Sequence, residues 1–159
     1  MDRGASDAPD RSRFCDDRRA TRGRRGPSFG AVTADRQRRG RQAEDYVARR
    51  LAAAGWTVLE RNARPVEVRG EIDIVALDGD SLVFVEVKAR SAGAVAGPET
   101  PLLAVGPRKR MRLRRLASAW LRERSSGLGG FAALRFDVAG VWLGADGDVR
   151  RCEYVRAAF

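Results

Sequence analysis

The chain has 159 residues, 31 basic against 21 acidic, for a formal charge of +10 and an isoelectric point near 11.1. That length suits one domain with a real core, and that charge suits a polyanionic partner, nucleic acid before acidic lipid. Histidine is absent and the two cysteines, Cys15 and Cys152, stand at opposite ends, which excludes Ser-His-Asp triads, histidine general bases and Cys/His zinc sites.

Residues 1–37 mix Arg, Asp, Gly, Ser and Pro with almost no apolar periodicity, a composition expected to be a disordered basic tail. They lack the apolar stretch of a secretory signal, and no run of about 18 apolar residues follows, so the expected location is cytoplasmic, with no membrane partner. Residues 38–159 form the expected domain. Its first element is a helix in "GRQAEDYVARRLAAAGW", where Ala43, Val47, Leu51 and Ala54 make a stripe and Gly55 a stop. Glu44 lies in register with Val47, Ala48 and Leu51, so an acid faces inward with the stripe.

Strands are predicted at 56–62, 71–77 and 81–89, the last two joined by a tight turn at "DGD". A Gly/Pro-interrupted loop, "SAGAVAGPETPLLAVG", leads to a second amphipathic helix, "PRKRMRLRRLASAWLRER", with Leu113, Leu116, Ala117, Trp120 and Leu121 on one face and a dense cationic set on the other. Two closing strands flank the "ADGD" turn. The order helix, three strands, helix, two strands predicts an α/β fold, a mixed central sheet flanked by helices.

The hairpin "EIDIVALDGDSLVFVEVK" carries the chemistry. Alternation puts Leu82, Phe84, Glu86 and Lys88 on one face of the third strand. On the second, it puts Asp73 with Val75 and Leu77, opposite Ile72, Ile74 and Ala76. A turn at Gly79-Asp80 sets Asp73 directly across from Glu86, and a turn at Asp78-Gly79 sets it diagonal, at about 5 or about 7–8 Å between Cβ atoms. Two carboxylates so close need a shared proton or an intervening cation. Mg²⁺, with Mn²⁺ as substitute, suits two carboxylates plus phosphate oxygens, and Lys88 and Glu44 would complete a phosphodiester-cleaving constellation. A solvated hairpin face is the plainer alternative, its cross-strand pair contributing only a few tenths of a kcal/mol. Lys88 and Lys109 are the only lysines beside 29 arginines, which hints at positions a guanidinium cannot fill.

"GEID" at 70–73 followed by "VFVEVKAR" at 83–90 resembles the Asp…Glu-x-Lys core of the PD-(D/E)xK, restriction-endonuclease-like superfamily. More closely, "AEDYVARRLAAAGW", "ERNAR", "GEIDIVA", "LVFVEVKAR", "VGPRKRMRL" and "RFDV" stand in the order of the YraN-type family of uncharacterised bacterial proteins, related to archaeal Holliday-junction resolvases. The resemblance implies a restriction-endonuclease-like core, metal binding by Asp73, Glu86 and the Val87 carbonyl, catalytic roles for Lys88 and Glu44, and a helical lysine at Lys109. Arg135 and Asp137 fall in the closing "RFDV" strand without an assigned role. Ala43 stands where the family usually has Gly, and "ARPVEVRGEID" is longer than the usual link.

The implied activity is Mg²⁺-dependent cleavage of structured DNA in repair or recombination. The alternatives are a non-catalytic nucleic-acid-binding module and an RNA-directed nuclease. Arg108, Lys109, Arg112 and Arg115 are the candidate nucleic-acid-binding residues, and a homodimer stays open.

Overall fold

The computed structural model describes residues 29–93 and 105–159. Helix α1 runs Phe29–Ala53, so residues 29–37, grouped with the tail by composition, are helical; residues 1–28 lie outside the described residues. The early start has a local cause that apolar periodicity does not register. Asp35 accepts from Arg38 Nη2 at 2.5 Å and from Arg39 Nε at 2.9 Å, the i+3 and i+4 pairs that support a helix, and Arg39 also reaches Ser91 Oγ at 2.7 Å. At the other end Gly55 takes φ +88°. Its N–H donates to the Ala52 carbonyl and that of Trp56 to the Leu51 carbonyl, a glycine cap that satisfies carbonyls the helix leaves open. Ala54, placed in the apolar stripe by spacing, is exposed just past this stop.

Five strands follow: β1 (Thr57–Ala63), β2 (Ile72–Asp78), β3 (Ser81–Ser91), then helix α2 (Pro107–Arg124), β4 (Ala133–Leu143) and β5 (Val149–Val155). They form one sheet in the order β1-β2-β3-β4-β5, antiparallel except for the central β3–β4 pair. Parallel neighbours need a crossover connection, and α2 lies in it. The sheet is thus mixed and flanked by helices, as the element order predicts. Of the expected loop at 91–106, residues 94–104 lie outside the described residues.

Each face of the sheet has its own core. Val47 and Leu51 of α1 pack on Ile74, Ala76, Val83, Val85, Val141 and Leu143. Leu113, Leu116 and Trp120 of α2 pack on Val75, Leu82, Phe84, Phe136 and Val138. Each fully buried large side chain contributes about 1.5–3 kcal/mol. Ile72 joins the α2-side cluster, a correction to simple alternation, which groups it with Ile74. The β2–β3 ladder stops at Ile74–Val85, while Ile72 still pairs with Ala63 of β1, which lies in the same α2-side cluster.

Arg135 and Asp137 serve the architecture. Asp137 is fully buried and accepts from Arg135, from the Tyr154 hydroxyl at 2.9 Å and from the Ala157 N–H at 2.9 Å, tying β4, β5 and the C-terminal turn together. Arg135 continues to Asp78 at 2.9 Å and lies over the Trp56 ring.

Candidate functional site

The hairpin register is that of a Gly79-Asp80 turn, with Asp78 opposite Ser81 and Ile74 opposite Val85. That register, extended one step past the last ladder pair, sets Asp73 across from Glu86. The Val87 N–H donates instead to Asp73 Oδ2 at 2.6 Å. A carboxylate therefore stands where a neighbouring strand's carbonyl would accept, which holds Asp73 in the sheet interior at 9% exposure.

Glu86 continues the Leu82–Phe84 face toward α2 and is 2% exposed, so the solvated-face alternative does not describe it. Burying a carboxylate demands compensation, and two ammoniums supply it. Lys88 Nζ donates to Glu86 Oε1, and Lys109 Nζ, from the first turn of α2, lies 3.1 Å from Oε2. The only two lysines of the chain thus converge on one carboxylate. Their grip is unequal, because Oε2, though within ion-pair distance of Lys109, has no aligned hydrogen bond.

Burial pushes the Asp73 carboxyl up to about 7, and the nearby Glu86 charge adds to the rise against the Val87 N–H and the Lys88 ammonium. Glu44, half-buried on α1, is also raised, first by burial and against the hydrogen bond it shares with Asn62. Its Oε2 is buried without a hydrogen-bond partner. Asn62 sits in the left-handed region at φ 50°, a conformation its short polar side chain tolerates.

The long link between β1 and β2 forms the outer wall. Arg64 pairs with Glu71 at 2.7 Å, Glu67 with Arg122 at 2.5 Å, and the Val66 N–H donates to Glu123 Oε1 at 2.8 Å. Arg112 Nη2 donates to the Arg69 carbonyl at 3.0 Å. These contacts strap the link to α2 across Gly70, whose φ is +138° and where an added Cβ would lie 2.6 Å from the Arg112 guanidinium. Only glycine meets both demands without strain, which accounts physically for the first letter of "GEID".

A cavity of about 580 Å³ opens here, walled by the carboxylates Glu44, Glu71, Asp73 and Glu86 and the cations Arg64, Arg69, Lys88, Lys109 and Arg112. The fold thus brings Glu44, Asp73, Glu86, Val87, Lys88, Lys109 and Arg112 to one cavity. Arg108 and Arg115 are exposed elsewhere on α2. Arg64, Arg69 and Glu71 escape the sequence reading, since two arginines among 29 carry no signal beyond the unusual length of their link. No group of three or more His, Cys, Asp or Glu side chains among the described residues is arranged to hold a metal. The donor set on offer is two facing carboxylates and backbone oxygen, which suits Mg²⁺ rather than zinc. No described helix is long and apolar enough to cross a membrane.

Fold and site together define an α/β protein whose central hairpin presents buried carboxylates and the Lys88 ammonium, with Lys109 of α2, to an open, arginine-lined cavity. The family model of the uncharacterised protein family UPF0102 matches residues 43–141. A UPF0102 protein of Moorella thermoacetica is 45% identical over 129 residues, covering 80% of this chain and all of its own length. Those of Streptomyces coelicolor and Streptomyces griseus are 48% and 52% identical, covering 74% and 64% of this chain and 86% and 80% of their own. The chain belongs to the UPF0102 family, the YraN-type family its motif order resembles.

Proposed function

We propose that this chain is a divalent-metal-dependent endonuclease acting on structured DNA. The observation that carries the reading is the convergence of Asp73, Glu86 and both lysines at one open cavity, with a buried Glu86 oxygen left without an aligned hydrogen bond. The mixed sheet and the Asp…Glu-x-Lys order are those expected of a restriction-endonuclease-like core.

Asp73, Glu86 and the Val87 carbonyl would hold Mg²⁺, or Mn²⁺ in its place. When bound, the cation supplies Lewis-acid polarisation of a phosphoryl oxygen and offsets charge developing at phosphorus. Lys88 faces the same cavity and orients the attacking water toward the phosphodiester. Glu44, its carboxyl raised by burial, accepts the proton that water loses. Arg64, Arg69 and Arg112 hold the flanking phosphates.

The second reading is a non-catalytic nucleic-acid-binding module, and one observation favours it: two ammoniums already offset the Glu86 charge. The experiment that separates them is a cleavage panel of linear, single-stranded, flap and four-way DNA with RNA counterparts, each in Mg²⁺, Mn²⁺ or EDTA. Cleavage of branched or flapped DNA in Mg²⁺ and none in EDTA is the expected result. Binding without cleavage on every substrate would establish the module instead, and cleavage confined to RNA would move the substrate class.

A further inference from the structure

Resting on the metal-site reading above, we propose that Lys109 is a resident counter-ion of Glu86 that exchanges with the metal, so that metal binding and nucleic-acid binding assist one another. The chain uses arginine at 29 of 31 basic positions, and both exceptions touch the same carboxylate. A compact ammonium on a flexible stem can leave a carboxylate and travel, whereas a guanidinium forks onto it and stays.

The two lysines are not equivalent. Lys88 shares a strand with Glu86 and hydrogen-bonds Oε1. Lys109 comes from a separate element, its side chain is 34% exposed, and it meets Oε2 without hydrogen-bond alignment. Oε2 is therefore the oxygen more readily surrendered. A divalent cation on Glu86 and an ammonium about 3 Å from the same oxygen repel each other strongly in a buried setting, so one of them must withdraw.

The place to which Lys109 withdraws is already built. Its ammonium lines the same cavity as Arg64, Arg69 and Arg112, and the Arg69 guanidinium has no hydrogen-bond or ion-pair partner among the described residues. A phosphate drawn into this cluster pulls Lys109 off Glu86 and frees Oε2 for the metal. The metal, in turn, releases Lys109 to the phosphate. Linkage makes the two effects equal in size.

The test needs no turnover. Calorimetry measures Mn²⁺ affinity without DNA, and fluorescence anisotropy measures the affinity for a four-way DNA in EDTA and in Ca²⁺, for the parent, Lys109→Met and Lys109→Gln, each with its thermal unfolding midpoint. Lys109→Met should bind Mn²⁺ about 5- to 150-fold more tightly than the parent, the usual span of such coupling. In the parent, Ca²⁺ should strengthen DNA binding by at least a similar factor, and in both variants that strengthening should shrink to what the cation's own contact with phosphate supplies. Unchanged or weaker Mn²⁺ affinity in both folded variants overturns the exchange while leaving the metal site standing. No Mn²⁺ binding by the parent removes the metal site and the exchange together.

Discussion

Asp137 and the Asp73–Glu86 pair are buried carboxylates of one sheet, and they have opposite characters. Around Asp137 every demand is met: Arg135, the Tyr154 hydroxyl and the Ala157 N–H all donate to it, and Arg135 is itself paired with Asp78 and set over Trp56. Around Asp73 and Glu86 charge is offset by Lys88 and Lys109, but hydrogen bonds fall short. Asp73 has the Val87 N–H and a carboxyl raised to about 7, Glu86 keeps one oxygen without an aligned hydrogen bond, and both line an open cavity. A saturated carboxylate holds a fold together, whereas a buried, incompletely hydrogen-bonded one at the wall of an open cavity is prepared for a cation.

The largest expected effect lies on the saturated side. Asp137→Ala leaves Arg135 with one carboxylate fewer and the Ala157 N–H and Tyr154 hydroxyl without an acceptor, and breaking a buried pair this way costs about 3–5 kcal/mol. Urea denaturation reads it directly, and a loss below about 1 kcal/mol would erase the contrast between the two regions. On the unsaturated side the largest effect is on rate. Lys88→Arg keeps the charge but puts a bulky, permanently protonated guanidinium in place of the ammonium, so single-turnover cleavage should fall about 100-fold or more while DNA binding in Ca²⁺ persists. Arg90→Lys, two residues along, should leave cleavage nearly unchanged. Equal rates for Lys88→Arg and the parent would reduce position 88 to a simple positive charge.

A third effect is confined to Asp73. The Asp73 carboxyl sits at about 7 in the folded protein against an ordinary 3.8, so the folded state holds its proton more tightly than the unfolded state does. Its contribution to stability therefore falls as pH rises from about 3.8 through about 7, and the full penalty stands above that window. In EDTA, Asp73→Asn should stabilise the protein at pH 8 by about 1–3 kcal/mol and change little at pH 4. Destabilisation at pH 8 would mean that Asp73, like Asp137, is an architectural group.

Much of this contrast is legible in the residues. α2 (Pro107–Arg124) begins and ends where its amphipathic pattern does, because proline opens it and a glycine-containing turn follows. The tight turn at residues 78–80 is legible too, but it leaves two registers open, and the pairing of Asp78 with Ser81 selects the Gly79-Asp80 one. Three features are not legible, each for a physical reason. The first turns of α1 are supported by charge pairs at Asp35 rather than by apolar spacing. Ile72 departs from simple alternation where β2 has lost β3 and keeps only β1 as a ladder partner. Arg64 and Arg69 become site residues only through contacts of their link with a helix about 50 residues away in sequence.

The smallest expected effect concerns those arginines. Each phosphate neutralised contributes about −0.9 to the slope of log K against log salt concentration. Arg69→Gln should flatten the slope by roughly that amount, and so should Arg115→Gln if the exposed face of α2 also touches the backbone. A slope already near zero in the parent would make both ordinary solvated surface.

The central claim is that the Asp73–Glu86 pair is a cation site and the Asp137 cluster is not, and calorimetric titration with Mn²⁺ tests it most directly. The parent and Tyr154→Phe, which removes one donor from Asp137, should bind Mn²⁺ alike. Asp73→Asn and Glu86→Gln, which keep shape and remove charge, should each weaken binding tenfold or more, about 1.4 kcal/mol or greater. Mn²⁺ affinity unchanged in both carboxylate variants would contradict the account.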